Sequence, residues 1–138
     1  MKLLTKETDY AIRAIMSLAR SDDGFVSSRD IAAAEAIPLH FLRRILQRLI
    51  KENLVDSREG AAGGVRLRHK PEKIHLDDVI RLFQGDIRLS ECMFRRKICS
   101  NRKTCVLRKR IGKIEQMVND EFAGITIADL LRDLGGKQ

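Results

Sequence analysis

The sequence predicts a mainly α-helical fold carrying one small β-hairpin. Three observations predict it. Apolar residues recur at helical spacing from the start, as in Tyr10, Ala11, Ala14, Ile15, Leu18 and Ala19. A pair of short strand candidates, residues 54–57 and 65–68, flanks the glycine-rich stretch 58–64. Late in the chain, Leu107, Ile111, Ile114, Val118 and Phe122 are spaced by four, three, four and four, close to a heptad seam. In this order the pieces make a winged helix-turn-helix followed by a long dimerisation helix.

Each element has its own signals. Residues 5–20 form the first helix, broken by Ser21-Asp22-Asp23-Gly24. Ser27 and Asp30 have the spacing of a capping box, which opens a short helix over 29–35. Pro38 suits the first turn of a third helix over about 39–52. Its predicted buried stripe is Leu39, Leu42, Leu46, Leu49 and Ile50. The opposite face carries His40, Arg43, Arg44, Gln47 and Lys51. Two helices joined by a short turn, the second presenting Arg, Gln and His, match a DNA-reading pair: Arg suits guanine edges and Gln suits adenine. A merely solvated face is the competing reading.

The stretch 58–64 contains Arg58, Gly60, Gly63 and Gly64, as a wing would. A nucleotide phosphate loop is disfavoured, because no Lys-Ser/Thr pair and no helix follow. Pro71 punctuates. Residues 76–83 form a short helix with Leu76, Val79, Ile80 and Phe83 on one face. The longest helix spans 105–122 and ends at Gly124. Its seam suits a second copy of the chain, with packing on its own core as the alternative. Thr126 and Asp129 repeat the capping-box spacing and open a last helix bearing Ile127, Leu130, Leu131 and Leu134. The expected organisation is a DNA-binding domain over 1–83, a cysteine-bearing loop over 84–104 and a dimerisation helix over 105–123. A C-terminal helix over 124–138 packs back on the DNA-binding domain.

Composition narrows the function. In 138 residues the formal charge is +8, which favours a polyanionic partner, nucleic acid first. Hydrophobic content of 43% supports a core, and with one Tyr and no Trp that core is mostly aliphatic. The sequence shows neither a signal peptide nor an apolar run near the ~20 residues needed to cross a bilayer. A cytoplasmic protein without a membrane partner is expected. His40, His69 and His75 lie on separate elements, and no cofactor fingerprint or base–nucleophile set is visible, so an enzyme is not expected.

All three cysteines, Cys92, Cys99 and Cys105, fall in one basic stretch, with six and five residues between them. An odd count in a cytoplasmic chain argues against a disulfide framework. Structural zinc sites prefer cysteine pairs two to four residues apart, so zinc fits poorly. Three thiolates suit an iron–sulfur cluster. A metal-free thiol sensor is the alternative, since cysteines in a basic loop oxidise readily. Arg95, Arg96, Lys97, Arg102 and Lys103 would favour thiolates and offset an anionic cluster.

Taken together, the chain resembles the Rrf-two family of bacterial winged-helix transcriptional regulators, the IscR, NsrR and RirA group. The resemblance rests on Leu4-Thr-Lys-Glu-Thr-Asp-Tyr-Ala11, on residues 38–49 with Asn53-Leu-Val55, and on Gly60-x-x-Gly-Gly64. It continues through the three-cysteine stretch and Ile125-Thr-Ile-Ala-Asp-Leu-Leu131. It implies a homodimer on double-stranded operator DNA, acting as a repressor. The third helix would enter the major groove and the wing the minor groove. The DNA-binding candidates are Ser28, His40, Arg43, Arg44, Gln47 and Arg58. The resemblance further implies that Cys92, Cys99 and Cys105 ligate a [2Fe–2S] or [4Fe–4S] cluster. Some members place a ligating His three residues after the last cysteine, where this chain has Arg108. Others take a carboxylate from the partner's first helix, and Asp9 matches that position. Family wings place Arg directly before the first glycine, whereas here Glu59 separates Arg58 from Gly60.

Overall fold

The computed structural model describes residues 3–21, 24–89 and 106–135. Six α-helices, two strands and a 3₁₀ turn follow one another among them. The fold is mainly helical with one small antiparallel hairpin, as the sequence predicts.

Helix α1 (Lys6–Arg20) is capped by Thr5, whose hydroxyl accepts from the Thr8 amide at 3.2 Å. Helix α2 (Ser28–Glu35) is capped by Ser27, which accepts from the Asp30 amide at 3.1 Å. It therefore begins one residue before its expected start. Ala36, at φ 53°, ends α2 in the left-handed conformation and turns the chain toward α3 (Leu39–Lys51). Asn53, at φ 63°, turns it again into β1 (Val55–Arg58), which pairs with β2 (Gly64–Leu67).

Both strands sit one residue off their expected limits. Val55 faces Leu67 and Arg58 faces Gly64. Val26, outside any expected strand, adds a single bridge on the other edge of β2 through two 2.8 Å backbone bonds with Val65. Gly64 makes that approach possible. Its φ is +149°, and a side chain there would run into the Val26 carbonyl.

The 3₁₀ turn (Pro71–Lys73) leads to α4 (Leu76–Gln84). Helices α5 (Val106–Ala123) and α6 (Ile127–Gly135) close the described chain. Their junction is clipped to the start of α4: the Leu76 amide donates to Ile125 and the Ile127 amide to Ile74. Thr126 and Asp129 form a reciprocal capping box, with bonds of 2.9 and 3.1 Å.

The core is aliphatic. Ile15, Ile31, Leu42, Ile45, Leu49 and Ile127 are among its fully buried side chains. On α3 the buried residues are Leu42, Ile45, Leu46 and Leu49, while Leu39 and Ile50 are half-buried. Ile45, absent from the expected stripe, is buried because α3 packs against α1, α2 and β1 together. Helix α5 behaves differently along its length. Val118 and Phe122 lean on the core, whereas Val106, Leu107, Ile114 and Met117 stand in solvent.

Candidate nucleic-acid interface

Burying Leu42, Ile45, Leu46 and Leu49 turns the polar side of α3 outward. His40, Arg43, Arg44 and Gln47 are all exposed on it, as expected. The exposed face is not uniform. The Arg44 guanidinium lies 5.0 Å from the Phe41 ring centre, and the His40 ring lies 4.7 Å from the same ring. Phe41 in turn packs edge-on against Tyr10 of α1 at 6.3 Å. Arg44 and His40 are thus held against an aromatic pair, while Arg43 and Gln47 are exposed and make no side-chain bond among the described residues. Arg48 is engaged elsewhere, donating to the Leu82 carbonyl at 3.0 Å.

Ser28 sits half-buried in the first turn of α2, next to the capping Ser27. The hairpin loop is closed by a Gly63 amide bond to the Gly60 carbonyl at 3.0 Å. Gly60 takes φ +104°, and a Cβ on Gly63 would collide with the Arg58 carbonyl oxygen. Arg58, at the end of β1, packs over the Phe25 ring at 4.4 Å, and Arg66 of β2 packs over the same ring at 4.5 Å. Neither Phe25 nor Arg66 is among the candidates read from the sequence. The hairpin register held the signal for Arg66, because residues 58, 64 and 66 fall on one face. Phe25 had no local signal, because the Val26 rung that places it is a long-range contact.

Cys92, Cys99 and Cys105 lie outside the described residues. Among the described residues, no group of three or more His, Cys, Asp or Glu side chains is placed to hold a metal ion. Asp9 is half-exposed on α1 and pairs with Arg13 at 2.9 Å, so ligation by Asp9 would have to displace that surface ion pair. The segment that enters the cysteine stretch is tied to α5. Glu115 accepts from the Leu89 amide at 2.8 Å, and Asn119 donates to the Ile87 carbonyl at 3.3 Å. Among the described residues, no helix is long and apolar enough to cross a membrane.

Comparison with known proteins agrees with this architecture. The family model described as "Rrf2: Iron-dependent Transcriptional regulator" matches residues 4–133. The HTH-type transcriptional regulator NsrR of Bacillus licheniformis is 31% identical over 130 residues, covering 93% of this chain and 91% of its own. Among solved structures, IscR of T. potens superposes with a TM-score of 0.77 at 26% identity, covering 97% of this chain and 88% of that one. CymR, titled the global cysteine regulator of B. subtilis, superposes at 0.79 with 25% identity, covering 96% and 98%. With its family match spanning nearly the whole chain and its helices, hairpin and winged-helix order shared with these structures, the protein belongs to the Rrf2 family of transcriptional regulators.

Proposed function

We propose that the protein is a homodimeric DNA-binding repressor whose affinity for its operator is governed by an iron–sulfur cluster. The observation that carries the DNA-binding part is the exposed α3 face, with Arg43 and Gln47 projecting from a helix whose other side is locked into the core. Arg43, Gln47, His40 and Arg44 take the major groove. Arg58 lies toward the minor groove, and Ser28 meets the backbone at the start of α2. Phosphate contacts supply most of the affinity, and the α3 face supplies the choice of sequence.

Cys92, Cys99 and Cys105 would hold the cluster, [2Fe–2S] or [4Fe–4S], with Asp9 of the second subunit as a fourth ligand. Three thiolates are a fitting donor set for such a group, and Asp9 is accessible on α1. A bound cluster would supply redox and ligand-exchange chemistry at iron. The chain's own contribution is the connection. Glu115 and Asn119 fasten Leu89 and Ile87, just ahead of the cysteine stretch, to α5. In this reading cluster state is passed through that connection to the spacing of two recognition helices across a dimer, and half-site spacing sets operator affinity.

A second reading is a metal-free regulator that senses through its thiols or a small ligand. The likeness to CymR, a cysteine regulator, favours it. Anaerobic purification with iron and acid-labile sulfide counts separates the two. Wild type should be coloured and carry both elements, while Cys99→Ala should lose both and remain dimeric. A colourless wild type that reconstitution does not restore selects the thiol or ligand reading.

A further inference from the structure

We propose that Phe25, Arg58 and Arg66 form a preset clamp at the base of the wing for a backbone phosphate of duplex DNA, with Phe25 as its positioning residue. The proposal rests on the DNA-binding reading above.

The clamp follows from the strand register. Val26 pairs with Val65 on the free edge of β2, which sets Phe25 beside Arg66. Arg58 faces Gly64, one step along on the same face. Gly64, lacking a side chain, lets the Val26 backbone close against β2, and the Arg58 and Arg66 guanidiniums lie 4.4 and 4.5 Å from the Phe25 ring centre.

Stacking occupies the flat face of a guanidinium and leaves its in-plane N–H donors unused. Among the described residues, neither arginine makes an ion pair. Asp56 faces Arg66 in the register but pairs with Arg68 instead, at 3.9 Å. Two cations are therefore gathered at one ring, and the acid on that face, Asp56, pairs with Arg68 rather than with either of them. An external anion with several acceptor oxygens completes the arrangement, and a phosphodiester supplies them. Because the ring already holds both side chains, less rotamer freedom is lost on binding. The clamp also gives Arg58 a task that does not depend on standing directly before the first glycine.

The test is fluorescence anisotropy on a labelled mixed-sequence duplex of about three helical turns, titrated across potassium chloride concentrations. Arg58→Ala and Arg66→Ala should each lower the slope of log affinity against log salt by about one. Phe25→Leu keeps every charge. It should weaken binding roughly fivefold with the slope unchanged, and Phe25→Tyr should retain wild-type affinity. Wild-type affinity in Phe25→Leu, or a loss that Phe25→Tyr shares, overturns the positioning role. Wild-type slopes in both arginine variants overturn the clamp. Those two variants decide the matter alone if Phe25→Leu fails to fold, since both side chains are exposed. If wild type binds the duplex while both slopes stay unchanged, the clamp falls and the regulator reading stands. A wild-type chain with no affinity for the duplex removes both.

Discussion

Gln84 makes three bonds at once. Its Oε1 accepts from the Thr5 amide at 2.9 Å and from the Thr8 hydroxyl at 2.7 Å, and its Nε2 donates to the Leu3 carbonyl at 2.9 Å. Thr8 is fully buried, so its hydroxyl depends on protein partners. Gln84→Ala should cost roughly 1–2 kcal/mol, read from the urea midpoint, because the buried Thr8 hydroxyl is left with the Thr5 hydroxyl alone and the ties from α4 to Leu3 and Thr5 are lost. On the DNA side, Arg43 is exposed and has no stacking partner among the described residues, so Arg43→Ala should reduce the ratio of operator to random-duplex affinity by about tenfold or more. An unchanged ratio in competition binding would remove Arg43 from the readout. Only part of this scale is legible in the sequence. The exposure of Arg43 and Gln47 follows from the 3.6-residue period alone. The role of Gln84 does not, because its partners lie about eighty residues away and a lone Gln before a glycine looks like the start of a linker.

At the scale of elements, caps were legible and strand limits less so. Ser27 and Thr126 announce their helices because capping is local chemistry, completed within four residues. The hairpin slipped by one residue because its register is set by the left-handed turn at Asn53 and by the Val26 rung, neither of which shows as a pattern. The α6 cap carries a pH prediction. The Thr126 amide, and then the Arg132 side chain, hold the Asp129 carboxyl below its usual 3.8. A depressed carboxylate stabilises the fold above its unfolded pKa, and that stabilisation fades as pH falls through the depressed folded value. Asp129→Asn should therefore be less stable than wild type at neutral pH, and the gap should narrow below that usual value and close only once pH falls below the depressed folded one. Urea midpoints of the two proteins at both pH values check it. A gap that persists in acid would assign the loss to packing rather than charge.

At the scale of the whole molecule, α5 carries the argument. Its seam is visible in the sequence, but periodicity cannot say what the seam faces. The structure divides it. Val118 and Phe122 pack on the chain's own core, while Leu107 and Ile114 are 66% and 50% exposed, beside Met117 at 69%. Leaving aliphatic side chains in water on a rigid helix forgoes about 25 cal/mol per Å² of burial, and a second α5 is the proposed partner for this face. Leu107→Glu with Ile114→Glu places charges where an apolar interface is proposed, at positions that are exposed among the described residues. The double variant should keep its unfolding free energy as a monomer within about 0.5 kcal/mol per site. Its dimer dissociation constant should rise by at least about a hundredfold. Sedimentation equilibrium reads the second quantity and circular dichroism confirms the fold. The loss should reach DNA as well. Two linked recognition helices gain from effective concentration on a two-fold operator, so the monomer should bind a single half-site with wild-type strength and lose the advantage of the full site. A variant that remains dimeric would move the interface off this face of α5. The route from residues 90–105 to half-site spacing would then have to run through α1 or α6 instead.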